Sequence, residues 1–93
     1  MRKVYRYVLN KRITKLEVPY GAMILKVGLR RGEEFSVWME VELEEDGSIQ
    51  NTEEIVFYQI RTNEQIPAEA AYIDTVEIEE TDFIYHIYAE FLG

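Results

Sequence analysis

Ninety-three residues with 47% hydrophobic and 13% aromatic content make one domain, residues 1–93, with a single modest core. The absence of cysteine excludes disulfides, thiolate zinc sites and cysteine nucleophiles. The formal net charge of −8 disfavours direct nucleic-acid binding.

That charge is unevenly spread. Residues 1–32 hold nine of the ten basic side chains and one acid, a sum of +8, whereas residues 33–93 hold seventeen acids and Arg61, a sum of −16. Two readings follow: basic strands lying beside acidic ones, or a bipolar surface with one patch for an anion and another for a basic partner. The amino terminus has no apolar stretch of signal-peptide type, and no apolar run approaches the ~18 residues of a membrane span. The expectation is a cytoplasmic protein without membrane contact.

In chain order, Arg2 to Leu9 reads as a strand with Tyr5, Tyr7 and Leu9 on one face and Arg2, Val4, Arg6 and Val8 on the other. Asn10 to Arg12 connects it to a strand over Ile13 to Val18, most simply as a hairpin. Pro19 cannot donate to a sheet ladder and Gly21 tolerates positive φ, so Val18 to Ala22 is a sharp turn. It leads into Met23, Leu25, Val27 and Leu29, expected to face the core, with Ile24, Lys26, Gly28 and Arg30 opposite.

Arg31-Gly32-Glu33-Glu34 reads as a second hairpin turn. After it Phe35, Val37, Met39, Val41 and Leu43 share one face, while Ser36, Trp38, Glu40 and Glu42 share the polar one, so Trp38 stands toward solvent or a partner. Glu45-Asp46-Gly47-Ser48 has turn chemistry. Glu54 to Arg61 is apolar on both sides, Ile55 and Phe57 against Val56, Tyr58 and Ile60, as a doubly covered strand is.

Thr62 to Ala71 is a loop, with a helical turn near Pro67 as the alternative. Tyr72 to Ile78 alternates weakly and breaks at Glu80-Thr81-Asp82. Phe83 to Phe91 is again two-sided, Phe83, Tyr85, Ile87 and Phe91 against Ile84, His86 and Tyr88. About seven short strands without a helix predict an all-β fold, a small antiparallel β-sandwich or partly open barrel.

The stretches Leu16 to Val27, Val37-Trp38-Met39, Ile66-Pro67, Tyr72 to Val76 and Phe83 to Tyr88 together span most of the chain. In that order the sequence resembles a family of small uncharacterised proteins encoded by tailed bacteriophages and prophages, marked by a Pro-x-Gly-Ala corner and an aromatic-histidine carboxy-terminal strand. The resemblance implies a phage accessory protein acting in the host cytoplasm, and no defined reaction.

No catalytic constellation stands out. His86 is the only histidine, Ser36 and Ser48 are the only serines and lie in no nucleophile-elbow or P-loop context, and the acidic runs match no calcium loop. The chain therefore reads as non-enzymatic, without cofactor or metal. A lone histidine on a strand is most simply a packed or hydrogen-bonded residue, and the acidic runs are most simply solvated edges that discourage aggregation.

The informative group is Trp38, Tyr58, Ile60, Ile84, His86 and Tyr88, all opposite the main core. Such an apolar-aromatic surface predicts a second layer, a homo-oligomer interface or a ligand pocket. Aromatic rings stack on bases, and Arg6, Arg12, Lys26 or Arg30 supply cations to phosphates. The leading expectation is a homo-oligomer that sequesters a small host molecule, a nucleotide signal first, in host takeover or counter-defence. Its rivals are an acidic protein-protein inhibitor imitating nucleic acid and a minor virion component.

Overall fold

The computed structural model describes residues 1–29, 34–78 and 80–93. Among these are seven strands and no helix: β1 (Arg2–Leu9), β2 (Ile13–Pro19), β3 (Met23–Leu29), β4 (Phe35–Glu42), β5 (Thr52–Arg61), β6 (Ala71–Glu77) and β7 (Ile84–Phe91). They form two antiparallel sheets, ordered β1-β4-β3 and β2-β5-β7-β6. The result is a small all-β sandwich whose sheets do not close into a barrel.

The two-residue repeat decides which side chains meet between the sheets. Phe35, Val37, Met39 and Val41 of β4, with Leu43 just past its end, are all buried, as are Ile55 and Phe57 of β5 and Ile87 and Ala89 of β7. Leu9 joins them, and Tyr5 and Tyr7 pack against them half-buried. Burial holds the Tyr7 phenol above its ordinary pKa, with the charge of Tyr5 adding to the effect. Phe35 meets Tyr85 edge to face with centroids 5.2 Å apart, tying β4 to β7 across the sandwich.

Two turns follow the expected chemistry. Gly21 has φ of 80° while the Ala22 amide donates to Pro19 O at 3.2 Å. At Glu45 to Ser48, Gly47 has φ of 85° and the Ser48 amide donates to Asp46 Oδ1 at 2.9 Å. That bonding to Ser48 holds the Asp46 carboxyl below its ordinary pKa. The β3–β4 pairing is the expected hairpin, although its turn, residues 30–33, lies outside the described residues. The loop before β6 contains a turn in which the Ala70 amide donates to Pro67 O at 3.1 Å.

Four expectations are corrected. β1 and β2 are not a hairpin: β1 pairs with β4 and β2 with β5, so Asn10 to Arg12 carries the chain from one sheet to the other. The buried Gln59 fixes this crossing by donating from Nε2 to Leu9 O at 3.0 Å and to Lys11 O at 2.8 Å.

In β3 the register jumps between Ile24 and Lys26, so Leu25 is an extra residue and the alternation inverts there. Ile24, Val27 and Leu29 therefore stand opposite Met39, Val37 and Phe35 on the core side, whereas Met23 and Leu25 are 57% and 48% exposed.

Ser36, placed by alternation on the polar face, is fully buried. Its register neighbours are Val8 and Gly28, and the Arg6 guanidinium lies across it, Nη1 to Oγ 3.5 Å. Ile60 is likewise buried rather than part of an open face.

Candidate functional site

The outward residues of each sheet form rows set by register. On the three-stranded sheet Arg6, Trp38 and Lys26 are aligned across β1, β4 and β3. On the other sheet Ile13, Tyr58, Tyr88 and Tyr72 are aligned across β2, β5, β7 and β6, with His86 and Thr75 beside them and Ile60, although in register with His86, buried. The expected aromatic group is thus divided between two sheets, Trp38 on one and Tyr58, His86 and Tyr88 on the other.

The two sheets approach at the edges β3 and β6, and there the division is bridged. A groove of about 630 Å³ runs along this seam, walled by Lys26, Gly28 and Trp38 on one side and by Asp74, Thr75, Val76 and Glu77 on the other. Gly28 shapes the floor. A methyl group in its place would lie 3.7 Å from both Lys26 Cε and Trp38 Cζ3, so the bare backbone leaves an open slot between ammonium stem and indole.

Both edges are bulged at this seam. The β6 register jumps between Tyr72 and Asp74, making Ile73 the extra residue, just as Leu25 is in β3. A smaller cavity, lined by Ile24 to Val27 and Tyr72 to Asp74, continues the groove past these residues. The lining residues advance together along both strands, so β3 and β6 run in the same direction.

His86 adjoins the groove through Thr75. Its Nδ1 is 3.1 Å from Thr75 Oγ1 and its Nε2 is 3.2 Å from Thr62 Oγ1. Tyr72 Oη meets the same Thr75 hydroxyl at 2.8 Å, and the Tyr72 ring packs edge to face on Tyr88 at 5.6 Å. Hydroxyls donate or accept as the imidazole tautomer requires, so this chain fixes the ring in place. Among the described residues neither ring nitrogen is bonded to a carboxylate or to a serine, and no group of three His, Asp or Glu gathers as a metal site.

The cations divide as well. Lys26 lines the groove. Arg6 lies on the far side of Trp38, over Ser36. Arg12 is remote from the groove and paired with Glu64, whose carboxyl is held below its ordinary pKa first by the Arg61 amide and then by Arg12. Arg30 lies outside the described residues.

A second cavity, about 290 Å³, opens at one end of the sandwich between Met1, Tyr20, Glu42, Glu44, Glu45, Gln50 and Asn51. Its three carboxylates make it unsuited to an anion.

Chemically, the groove offers an indole wall, one ammonium, two carboxylates and a hydroxyl. It can stack a planar ring, meet one anionic group and accept hydrogen bonds from amino or hydroxyl groups. Sequence reasoning found Trp38 and Lys26 and missed the opposite wall. Asp74 and Thr75 are adjacent polar residues where the apolar alternation of β6 changes phase, and that interruption was the available signal.

The family model described as "Domain of unknown function (DUF7352)" matches residues 1–91, and the chain belongs to that family. No curated protein and no solved structure matches it.

Proposed function

We propose that this member of the DUF7352 family is a non-enzymatic accessory protein of tailed bacteriophages that captures a small host molecule of nucleotide class, blunting a host process such as defence signalling. The observation that carries this reading is the β3–β6 groove, where Trp38 and its cross-strand neighbour Lys26 face Asp74 and Thr75. A base stacks on the indole, a phosphate meets Lys26, and base amino or ribose hydroxyl groups donate to Asp74.

Charge narrows the ligand further. Asp74 and Glu77 outnumber Lys26 along the groove, so a ligand with one or two phosphates fits better than a triphosphate. Trp38 is the only tryptophan, and its fluorescence reports the site directly. Titration with nucleoside monophosphates, cyclic dinucleotides and nucleoside triphosphates is expected to quench it, most tightly for the first two classes. No quenching and no heat at high micromolar protein would sink the proposal.

In this reading the protein acts as a homo-oligomer. Copies meet through the row Ile13, Tyr58, Tyr88 and Tyr72, which contains no charged side chain and in which Ile13 and Tyr72 are 61% and 56% exposed. Light scattering of the wild type and of Tyr72→Arg tests it: the expected result is an oligomer that the substitution reduces to monomer.

A further inference from the structure

We infer that His86 is a positioning residue of the β3–β6 groove: by gaining or losing a proton it sets whether the Thr75 hydroxyl has a hydrogen to give to a phosphate oxygen. This rests on the nucleotide reading above and adds a regulation to it.

Register places the parts. Asp74 and Val76 of β6 stand opposite Ile87 and Tyr85, whereas Thr75 and Glu77 stand opposite His86 and Ile84. Residues directly opposite in a ladder share a face. Ile87 is fully buried, so Thr75 and Glu77 are the outward side chains of β6 in the groove, as Lys26 and Trp38 are on the other wall. Thr75 thus stands between groove and imidazole, lining the one and touching the other.

The hydrogens of this chain are countable. Thr75 Oγ1 has one to give and can accept two; it lies 3.1 Å from His86 Nδ1 and 2.8 Å from Tyr72 Oη. His86 Nε2 lies 3.2 Å from Thr62 Oγ1. A neutral ring has one N–H. With the hydrogen on Nε2, Thr62 accepts and Thr75 spends its own hydrogen on Nδ1. With it on Nδ1, Thr62 donates to Nε2 and Thr75 accepts. A charged ring donates from both nitrogens, which removes the first arrangement. Thr75 then accepts from Nδ1, Tyr72 donates to its second lone pair, and the threonine hydrogen is left for the groove.

The groups around the ring decide what else responds to pH. β5 contributes Tyr58 and Ile60, with Thr62 just past its end; β6 contributes Tyr72, Thr75 and Glu77; along β7 itself lie Ile84, Tyr88 and, further on, Glu90. Asp74 accepts the Thr75 amide at 2.8 Å, Arg61 lies over the Phe83 ring, and Lys26 is across the groove. Carboxyls, phenols, lysine and arginine ordinarily titrate outside the span from about pH 5.5 to about pH 8, and imidazole inside it. The amino-terminal ammonium also belongs to that span, but it lines the other cavity.

The test uses the full chain and a cyclic dinucleotide, whose phosphodiesters keep their charge across this span. Affinity read from Trp38 quenching is expected to rise about fivefold from pH 8 to pH 5.5. A ligand that prefers the protonated ring raises its titration midpoint, so tight binding is complete below the free midpoint and is lost as pH rises through the bound one. With one histidine in the chain, the imidazole proton resonances report that midpoint without ambiguity, and adding the ligand is expected to move it to higher pH. His86→Gln, which cannot take up the charge, is expected to bind equally at both ends of the span. Thr75→Val, which keeps the shape without the hydroxyl, is expected to lose most of the pH dependence.

Equal affinity at both ends in the wild type, or a midpoint that the bound ligand leaves in place, would overturn the inference while the nucleotide reading stood. No quenching at any pH would remove both. A pH dependence that survives in His86→Gln, or is undiminished in Thr75→Val, would also overturn it. Should either variant fail to fold, the wild-type resonances still decide.

Discussion

Gln59 and Gly28 each govern more of the molecule than their size suggests. Gln59 is one of few buried polar side chains and holds two carbonyls of the β1–β2 crossing. Gln59→Leu keeps the volume but removes one donor from each carbonyl, Lys11 O keeping the Thr14 hydroxyl at 3.1 Å, and the expected loss is about 1–3 kcal/mol, measured by urea denaturation. Gly28 acts on the groove alone. Because an added methyl finds ordinary contact distances at 3.7 Å and the backbone there is unstrained, Gly28→Ala is expected to keep the melting temperature within a few degrees while reducing nucleotide quenching of Trp38 severalfold. Equal loss of folding and quenching would show that the slot is structural. Neither role was visible in the sequence. A glutamine between Tyr58 and Ile60 gives no hint of the distant carbonyls it serves, and a glycine in an alternating strand looks the same whether it faces a groove or bare solvent.

The strands divide into those the two-residue repeat describes and those it misdescribes, and the bulge is the difference. β4, β5 and β7 pair without a bulge, and Val37, Phe57 and Ile87 are fully buried where the pattern puts them, with Ser36 and Ile60 the buried exceptions on the other face. In β3 one extra residue moves Met23 out and Ile24 in. Periodicity registers the change of phase only if its position is known, and an apolar run such as Met23-Ile24-Leu25 conceals it. The same event in β6 is partly legible, because Ile73 and then Val76 and Ile78 already stand out of phase in the sequence. Pairing partners were beyond reach for another reason: alternation tells which face a residue takes but not which sheet its strand joins, so adjacency of β1 and β2 suggested a hairpin.

This account of β3 yields a direct test. With Leu25 deleted, Ile24 and Lys26 keep their partners Met39 and Trp38 in a now continuous ladder. The deletion variant is expected to fold with the same register, within about 1 kcal/mol of the wild type because the lost side chain is half exposed. Its groove changes because the extra twist of the bulge is gone, and quenching of Trp38 should weaken. Failure to fold would mean that Leu25 is not the inserted residue.

For the whole molecule, acid is the informative variable. Asp46 and Glu64 both titrate below their ordinary range in the folded chain. A carboxyl whose folded value is depressed contributes stability above its unfolded value and loses it as pH falls through the folded one. The melting temperature is therefore expected to fall on acidification through and below the ordinary carboxylate range, with a shallower fall in Glu64→Gln. An unchanged slope in that variant would remove Glu64 from the account. The bipolar charge is expressed largely as neighbouring strands of opposite sign, as in the Lys15–Glu54 pair at 3.1 Å, which is the simpler of the two readings offered by composition. What remains distinctive is the amino-terminal edge, where basic charge has no acid on its own strand.

The facing bulges at Leu25 and Ile73 carry one more consequence. Strands that run side by side in the same direction need matched spacing to zip together, and each of these edges is one residue out of step. The β3 and β6 edges therefore stay unpaired, and the gap left unzipped between the two sheets is the space in which Trp38 stands.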